Sequence, residues 1–267
     1  MRIETLGDED GEPSVAVVGA VHGDEPCGAR AIERLLADPP AVVEPAKLIV
    51  ANERALDRGR RYVDADLNRV FPGDPESGAH EKRLAHRLLA EIEGCTTLGI
   101  HSTVSTDEPF GTLANVDRTK AEAMRAMPVA HAADFTGAVS GRSVNLPDFF
   151  NVEAAPQGTE RAVDQAHECI LAFLRASGVL PGDPEPTETR LYAVSDVVEK
   201  EPGREYRVVA DNFERVPAGE PYATADGDPV RVEGPFWPVL MSGDGHETIL
   251  GYRSELVGPI RGAVDDA

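Results

Sequence analysis

Apolar positions in the first two thirds of the chain form two kinds of pattern. Short unbroken apolar runs predict strands that are buried on both faces, and they lie at 14–21, 47–51, 97–100 and 149–153. Longer stretches with an apolar residue every three or four positions predict amphipathic helices, and they lie at 26–37, 77–93 and 159–177. Strands that alternate with helices predict an α/β domain with a mostly parallel sheet flanked by helices, over residues 1–180.

The pattern changes at residues 181–186, where three prolines within PGDPEP prevent a helix from continuing. Beyond this linker the apolar residues occur in short alternating runs, separated by Gly and Pro, and no helical spacing persists. We therefore predict a second, small all-β domain over residues 187–267. The chain has no apolar window near 18 residues, so no membrane span and no membrane partner are expected.

Charge is the most unusual property of the composition. Asp and Glu number 47 against 26 Lys and Arg, which gives a formal net charge of −21. Such a surface repels itself in dilute buffer, and counter-ions relieve the repulsion, so the composition is typical of halophilic adaptation. An acidic mesophilic protein is the alternative. In either case nucleic acid is disfavoured as a partner, because binding phosphates requires a basic face.

Cysteine usage bears on the compartment. The three cysteines, Cys27, Cys95 and Cys169, are odd in number and far apart in sequence. This pattern is typical of free thiols in a reducing compartment and not of a disulfide framework. The N-terminal residues contain no apolar signal core. We therefore predict a cytoplasmic protein.

Two histidines and a glutamate are the strongest chemical signal. His22 and Glu25 follow the first predicted strand at H-x-x-E spacing, and His101 follows the third. Such a set of three ligands is usual for catalytic zinc, with a fourth position left for water, and it predicts a metal-dependent hydrolase with one Zn²⁺ per chain. His131 and Asp134 form a rival pair, but no strand is predicted before them, and we interpret them as surface residues.

Two further segments carry candidate side chains. Arg61 and Arg69 are interleaved with apolar residues and with Asn68, which indicates that some of these side chains point inward. The planar fork of arginine suits carboxylate binding and oxyanion stabilisation, although a solvated charged face is the usual alternative. Glu153 is a lone acid at the end of an apolar run, so it is either a solvated strand end or a general base at the edge of the sheet.

Four segments together resemble the succinylglutamate desuccinylase/aspartoacylase family of the zinc carboxypeptidase-like superfamily. They are GAVHGDEPCG (19–28), RYVDADLNRVFPG (61–73), GIHST (99–103) and VEAAPQG (152–158). The resemblance implies the zinc carboxypeptidase-like fold, with the β domain capping or flanking the active site. It implies removal of an acyl group from a small anionic N-acyl amino acid by hydrolysis of a linear amide bond.

The resemblance also implies roles for individual residues. Zinc would be held by His22, Glu25 and His101. Glu153 would be the catalytic base, and Arg61 would stabilise the scissile carbonyl as it becomes an oxyanion.

The substrate carboxylate would be bound by Asn68 and Arg69, with Arg142 as a second carboxylate-binding arginine. The C-terminal domain of aspartoacylases donates a tyrosine to the substrate, and no tyrosine of this chain aligns with that one. His246 and Tyr252 are among the residues near the segment where it would be expected. A zinc carboxypeptidase acting on peptides is the alternative enzyme, and a non-catalytic module that binds metal or carboxylate is a further one. The acyl group, the amino acid and the oligomeric state are left open, and a homo-oligomer is compatible with the sequence.

Overall fold

The computed structural model describes residues 1–261 and contains two β-sheets. The strands are β1 (Arg2–Leu6), β2 (Val15–Gly19), β3 (Ala46–Val50), β4 (Thr96–Ser102), β5 (Phe110–Leu113), β6 (His131–Asp134), β7 (Phe149–Ala154), β8 (Arg190–Glu199), β9 (Tyr206–Val208), β10 (Pro221–Ala225), β11 (Asp228–Arg231), β12 (Trp237–Val239) and β13 (Ile249–Pro259). The helices are α1 (Cys27–Ala37), α2 (Glu53–Leu56), α3 (His80–Glu91), α4 (Arg118–Ala126) and α5 (Glu160–Ala176). Two short 3₁₀ turns lie at Leu67–Arg69 and Ser143–Asn145. No helix within residues 1–261 is long and apolar enough to cross a membrane.

The larger sheet has ten strands in the order β1-β3-β2-β4-β7-β5-β6-β8-β13-β12. Its centre is parallel, since β3, β2, β4 and β7 all run in one direction. β1 and β5 join antiparallel to this centre. The predicted α/β fold with a mostly parallel sheet is confirmed, and so are the four strands and three helices that the apolar pattern predicted in the first part of the chain.

Alternate residues of the central strands enter two different hydrophobic cores, which explains their unbroken apolar sequence. Val15 and Val17 of β2 pack on the side covered by α1 and α5. Ala16 and Val18 pack on the other side, where α3 supplies Leu84 and Leu88. Because a strand directs successive side chains to opposite faces, a strand covered on both faces must be apolar at every position.

The segment after the 181–186 linker is all β, as its pattern predicted, and it has two parts. Strands β9, β10 and β11 form a separate antiparallel sheet of three strands. β8 and β13 instead continue the main sheet, because β8 pairs in parallel with β6. The division into domains at 1–180 and 187–267 stays a prediction, and residues 262–267 of it lie outside the described residues.

Several elements were missed by the pattern, namely β1, α2, β5, α4, β6 and β10. The interpretation of His131 and Asp134 as surface residues without a strand was wrong, since they are the first and last residues of β6. The ring of His131 stacks on that of Phe213, with centroids 4.6 Å apart. A strand of four residues has too few positions to show a periodicity.

Candidate active site

The carboxyl ends of β2 and β4 bring the three predicted metal ligands together. His22 and Glu25 lie in the loop between β2 and α1, while His101 lies near the end of β4, the parallel neighbour of β2. Parallel strands end at the same edge of a sheet, where ligands of open α/β folds bind. All three side chains are buried, and one potential ligand atom from each lies within 4.8 Å of the others.

Close backbone contacts fix the loop that carries His22 and Glu25. A Cβ atom on Gly23 would lie 2.1 Å from the carbonyl carbon of Ala55, so only glycine fits at this point. The amide of Gly23 donates to the carbonyl of Arg61, at 3.2 Å. The loop is thus wedged between α2 and the 61–69 segment, which leaves it little freedom to move its two ligands apart.

The two imidazoles meet at the carboxylate of Glu25. Nδ1 of His22 lies 2.7 Å from Glu25 Oε1, and Nδ1 of His101 lies 2.9 Å from Glu25 Oε2. Burial lowers the pKa of His22, but the carboxylates of Glu25 and Asp66 more than offset this and raise it to about 9. Burial alone would raise the pKa of Glu25, yet the two imidazoles hold it well below its usual value. The point where these side chains meet therefore favours a positive charge.

These residues fit a divalent metal ion. Two imidazole nitrogens and a carboxylate form the donor set of many catalytic zinc sites. The second ring nitrogen of His22, Nε2, lies 3.0 Å from Asp66 Oδ1. Metal-bound histidines usually donate their other N–H to a carboxylate in this way, which fixes the tautomer and leaves Nδ1 for the metal.

Asp66 is a site residue that the sequence interpretation missed. In addition to its contact with His22, Asp66 accepts a hydrogen bond from Nε of Arg61, at 3.0 Å. Arg61 in turn donates from Nη1 to Glu25 Oε1, at 3.2 Å. Burial raises the pKa of Asp66, but its contacts with His22 and Arg61 lower it overall, well below the usual range. Asp66 thus joins the metal-ligand loop to the arginine segment.

The remaining predicted residues of the arginine segment lie in the same cavity. Asn68 accepts a hydrogen bond from the amide of Ser143 through Oδ1, at 2.8 Å. Arg69 lies within ion-pair range of the carboxylate of Asp66, at 3.9 Å. Arg142 donates to the hydroxyl of Tyr252, at 2.7 Å. Tyr252, which comes from the C-terminal part of the chain, also lines the cavity.

Glu153 lies beside His101, since the two residues are opposite each other in the pairing of β4 with β7. Burial raises the pKa of Glu153 to about 7, and the charge of Glu25 adds to this shift. A carboxyl group with such a pKa exchanges a proton readily near neutral pH, as a general base or acid requires. The pairing places Glu153 at the edge of the sheet beside the potential metal ligands, and its role as a base stays a prediction.

One cavity unites these residues. All eight predicted site residues line it: His22, Glu25, Arg61, Asn68, Arg69, His101, Arg142 and Glu153. The C-terminal segment supplies the opposite wall, through Leu240, Ser242, Gly245, His246, Ile249 and Tyr252. The cavity thus combines a potential metal centre, a carboxyl group with a raised pKa and several cationic side chains.

Comparison with known proteins relates one part of the chain to a family of catalytic domains. Residues 11–139 match the family model described as succinylglutamate desuccinylase/aspartoacylase catalytic domain. The succinylglutamate desuccinylase of Pseudomonas aeruginosa is 30% identical over 105 residues, which cover 35% of this chain and 32% of that protein. The N-acyl-aromatic-L-amino acid amidohydrolase (carboxylate-forming) of Rattus norvegicus is 42% identical over 108 residues, 34% of each. The matches span about a third of the length of these curated relatives.

Solved structures show the same fold over nearly the whole chain. The ectoine utilization protein EutE of Ruegeria pomeroyi superposes with a TM-score of 0.75 at 21% identity, covering 96% of this chain and 87% of that one. Murine aminoacylase 3 superposes with a TM-score of 0.73 at 21% identity, covering 94% and 97%. The family model and the shared fold agree with the resemblance found in the sequence. Residues 11–139 are thus similar to the catalytic domain of the succinylglutamate desuccinylase/aspartoacylase family, and the whole chain shares the fold of the solved structures.

Proposed function

We propose that this protein is a zinc-dependent amidohydrolase that removes the acyl group from an N-acyl amino acid. The observation that carries the proposal is the single cavity lined by a two-histidine, one-glutamate ligand set, by Glu153 and by three arginines. Relatives in the family are hydrolases that act on N-acyl amino acids. The cytoplasm is the compartment we propose, because all three cysteines are buried and unpaired.

His22, Glu25 and His101 would hold the zinc ion. When bound, zinc polarises the carbonyl of the scissile amide and lowers the pKa of a water molecule at the site. The burial of all three ligands keeps competing water away from their donor atoms. Asp66 fixes the orientation of His22 through the hydrogen bond to Nε2.

Glu153 is the residue that moves the proton. It accepts a proton from the attacking water and passes the proton on to the departing amine. A pKa of about 7 suits both steps, because the group is neither too weak a base to accept the proton nor too weak an acid to release it. Arg61 lies next to Glu25 and donates to the carbonyl oxygen as negative charge develops there.

The substrate carboxylate is bound by Arg69 and Arg142, with Asn68. Arg69 and Arg142 bring positive charge into the cavity of a chain whose net charge is −21, so an anionic substrate is attracted to this point of the surface. The Oδ1 atom of Asn68 accepts from Ser143, which leaves its amide group to donate to the substrate. A carboxylate held by two arginines places the scissile amide in a defined orientation.

A substrate screen tests this function. Zinc-loaded protein in about 2 M KCl, which screens the acidic surface, should hydrolyse N-acyl amino acids and release the free amino acid. The same substrates with the carboxylate amidated should be poor, because the arginines then lose their ionic partner. Removing the metal with a chelator should abolish turnover, and adding zinc back should restore it.

The variant His101→Ala provides the metal control. It should bind less than one zinc per chain, measured by elemental analysis, and should lack activity. Equal zinc content in parent and variant would remove His101 from the metal site. Cleavage of peptides from the carboxyl terminus in preference to N-acyl amino acids would favour the carboxypeptidase alternative, and zinc binding without any turnover would favour the non-catalytic module.

A further inference from the structure

The active-site cavity has two walls that come from distant parts of the chain. One wall is the loop between β4 and β5, at residues 102–105, directly after the proposed metal ligand His101. The other wall includes the segment after β12, where Leu240 and Ser242 line the cavity. Because the two walls are far apart in the sequence, their separation in space depends on side chains that reach from one to the other.

The side chain of Asn212 connects the two walls. Its Oδ1 atom accepts a hydrogen bond from the amide of Met241 at 2.8 Å, and its Nδ2 atom donates to the carbonyl of Met241 at 3.1 Å. Nδ2 also donates to the carbonyl of Ser105, at 2.6 Å. A backbone amide only donates and a carbonyl only accepts, so these partners fix the orientation of the carboxamide and use both of its N–H groups.

The C-terminal wall has a backbone conformation that needs such support. Leu240 and Phe213 both have a positive φ, 50° and 66°. Residues with a Cβ atom rarely adopt this region, so the surrounding contacts must hold them there. Leu240 directly precedes Met241, and Phe213 directly follows Asn212. The two hydrogen bonds between Asn212 and Met241 therefore fix the backbone next to Leu240 and stabilise its place in the cavity wall.

The loop of the other wall has few contacts of its own. Val104 and Ser105 line both the active-site cavity and a second, neighbouring cavity, so they border open space on two sides. Within residues 1–261, the segment 104–106 makes only one hydrogen bond to a residue outside 103–108, and that bond comes from Asn212. The position of this segment therefore depends on Asn212.

We propose that Asn212 is a positioning residue, which holds the two walls of the cavity at the separation that the substrate requires. Asn212 is not among the residues that line the active-site cavity, so it acts through Ser105 and Met241. The inference rests on the proposed function and adds to it a residue that controls the shape of the binding site. Because the proposed metal ligands and Glu153 lie on other segments, loosening the walls should weaken substrate binding and leave the chemical step little changed.

Two variants remove the connection in different ways. Asn212→Asp has nearly the same shape and can still accept from the amide of Met241, but its second oxygen cannot donate to the carbonyls of Ser105 and Met241. Asn212→Ala removes all three hydrogen bonds. Asp211→Asn, the reverse exchange at the exposed neighbouring position, is the matched control and should behave as the parent.

Two measurements on the zinc-loaded full chain separate a local effect from a general loss of stability. Steady-state kinetics, with the N-acyl amino acid that the parent hydrolyses best, should show KM raised about tenfold in both Asn212 variants and kcat changed less than about threefold. Hydrogen–deuterium exchange should become faster at residues 103–109 and 240–249 and should stay unchanged in the central strands β2 and β4. Zinc content should equal that of the parent.

Several outcomes would overturn the inference while leaving the proposed function intact. One is a parent-like KM, or parent-like exchange at residues 103–109, in Asn212→Asp. Another is faster exchange throughout the chain in both variants, because Asn212 would then support the fold as a whole. A loss of kcat with KM unchanged would also contradict it.

Failure of the parent to hydrolyse any N-acyl amino acid would instead overturn the proposed function, and with it the role of Asn212 in binding such a substrate. Hydrogen exchange requires no turnover, so it would still decide whether Asn212 couples the two walls.

Discussion

Two carboxyl groups in one cavity are given opposite properties by their neighbours. Glu25 contacts two imidazoles, which hold its pKa well below the usual value and keep it ionised. Glu153 is half-buried beside His101, and desolvation together with the negative charge of Glu25 outweighs the charge of His101 and raises its pKa to about 7. A pair of titratable groups whose environments separate their pKa values is a common basis for dividing roles in a hydrolase. Here the ionised group is suited to hold a cation and the other to exchange a proton.

The variant Glu153→Gln tests this division at the scale of one residue. Glutamine keeps the size of the side chain but cannot accept a proton, so we expect kcat to fall by about 100-fold or more, while zinc remains bound. Elemental analysis and steady-state kinetics measure the two effects. Glu168→Gln, on the exposed side of α5, is the matched control and should behave as the parent. Activity of Glu153→Gln within a few-fold of the parent would show that another group is the base.

Site residues that stand next to an apolar run were predictable from the sequence. Site residues whose role depends on a contact with a residue distant in the sequence were not. His22 and His101 each end an apolar run, so their position at the edge of the sheet follows from the chain itself. Asp66 is one acid among 47, and its role depends on a contact with His22, which is 44 positions away. The contact of Tyr252 with Arg142 spans 110 positions. No pattern in the sequence reports contacts of that separation.

The segment between α2 and α3 carries four of the site residues and contains only one short 3₁₀ turn. Its conformation is stabilised by a single buried carboxylate, that of Glu81 in α3. Oε1 of Glu81 accepts from the amide of Val63 at 2.6 Å, and Oε2 accepts from the amides of Asp64 and Ala65 at 3.0 and 3.1 Å. Asn52 donates a fourth hydrogen bond, at 3.1 Å. These four hydrogen bonds fix the conformation of a loop that has almost no regular secondary structure.

The pH dependence of the free energy of unfolding should show the contribution of the Glu81 carboxylate. Burial raises the pKa of Glu81, but the three backbone amides outweigh burial and lower it overall. Because the pKa is depressed in the folded state, the ionised group stabilises the fold above its unfolded pKa of about 4.3, and the contribution is lost as the pH falls through the lower folded pKa. Glu81→Gln should therefore unfold more easily than the parent at pH 7, by about 1–3 kcal/mol, with the difference shrinking below about pH 4.

Denaturant titrations at pH 7 and at about pH 3.5 measure this difference in the free energy of unfolding. The second pH lies below the unfolded pKa of glutamate. Glu93→Gln, at an exposed position just after α3, is the matched control and should not change the free energy of unfolding. A pH-independent difference between the parent and Glu81→Gln would mean that packing, and not the charged hydrogen bonds, holds the segment.

The three helices that the sequence predicted are the longest helices within residues 1–261. The helices α1, α3 and α5 contain 11, 12 and 17 residues and showed a clear apolar face in the sequence. β5 and β6 contain four residues each and lie between β7 and β8 in the main sheet. Strands of four residues are too short to show a periodicity, and α4, with nine residues, was missed although it buries an apolar face.

At the scale of the whole molecule, the acidic surface should make stability depend on salt. Repulsion among 47 acidic side chains is least screened at low ionic strength. We expect Tm to rise between about 0.1 M and about 2 M KCl, with most of the rise below about 1 M, where the screening length has already fallen to about 3 Å. A Tm that stays constant over this range would contradict halophilic adaptation.

The order of the chain also has a consequence for how the site is assembled during synthesis. The three proposed metal ligands are complete once residue 101 has left the ribosome, whereas six residues of the cavity wall come after residue 239. Because β13 pairs with β8 along the far side of the main sheet, that wall is added last. A nascent chain therefore contains all three proposed metal ligands well before the residues of that wall have been synthesised.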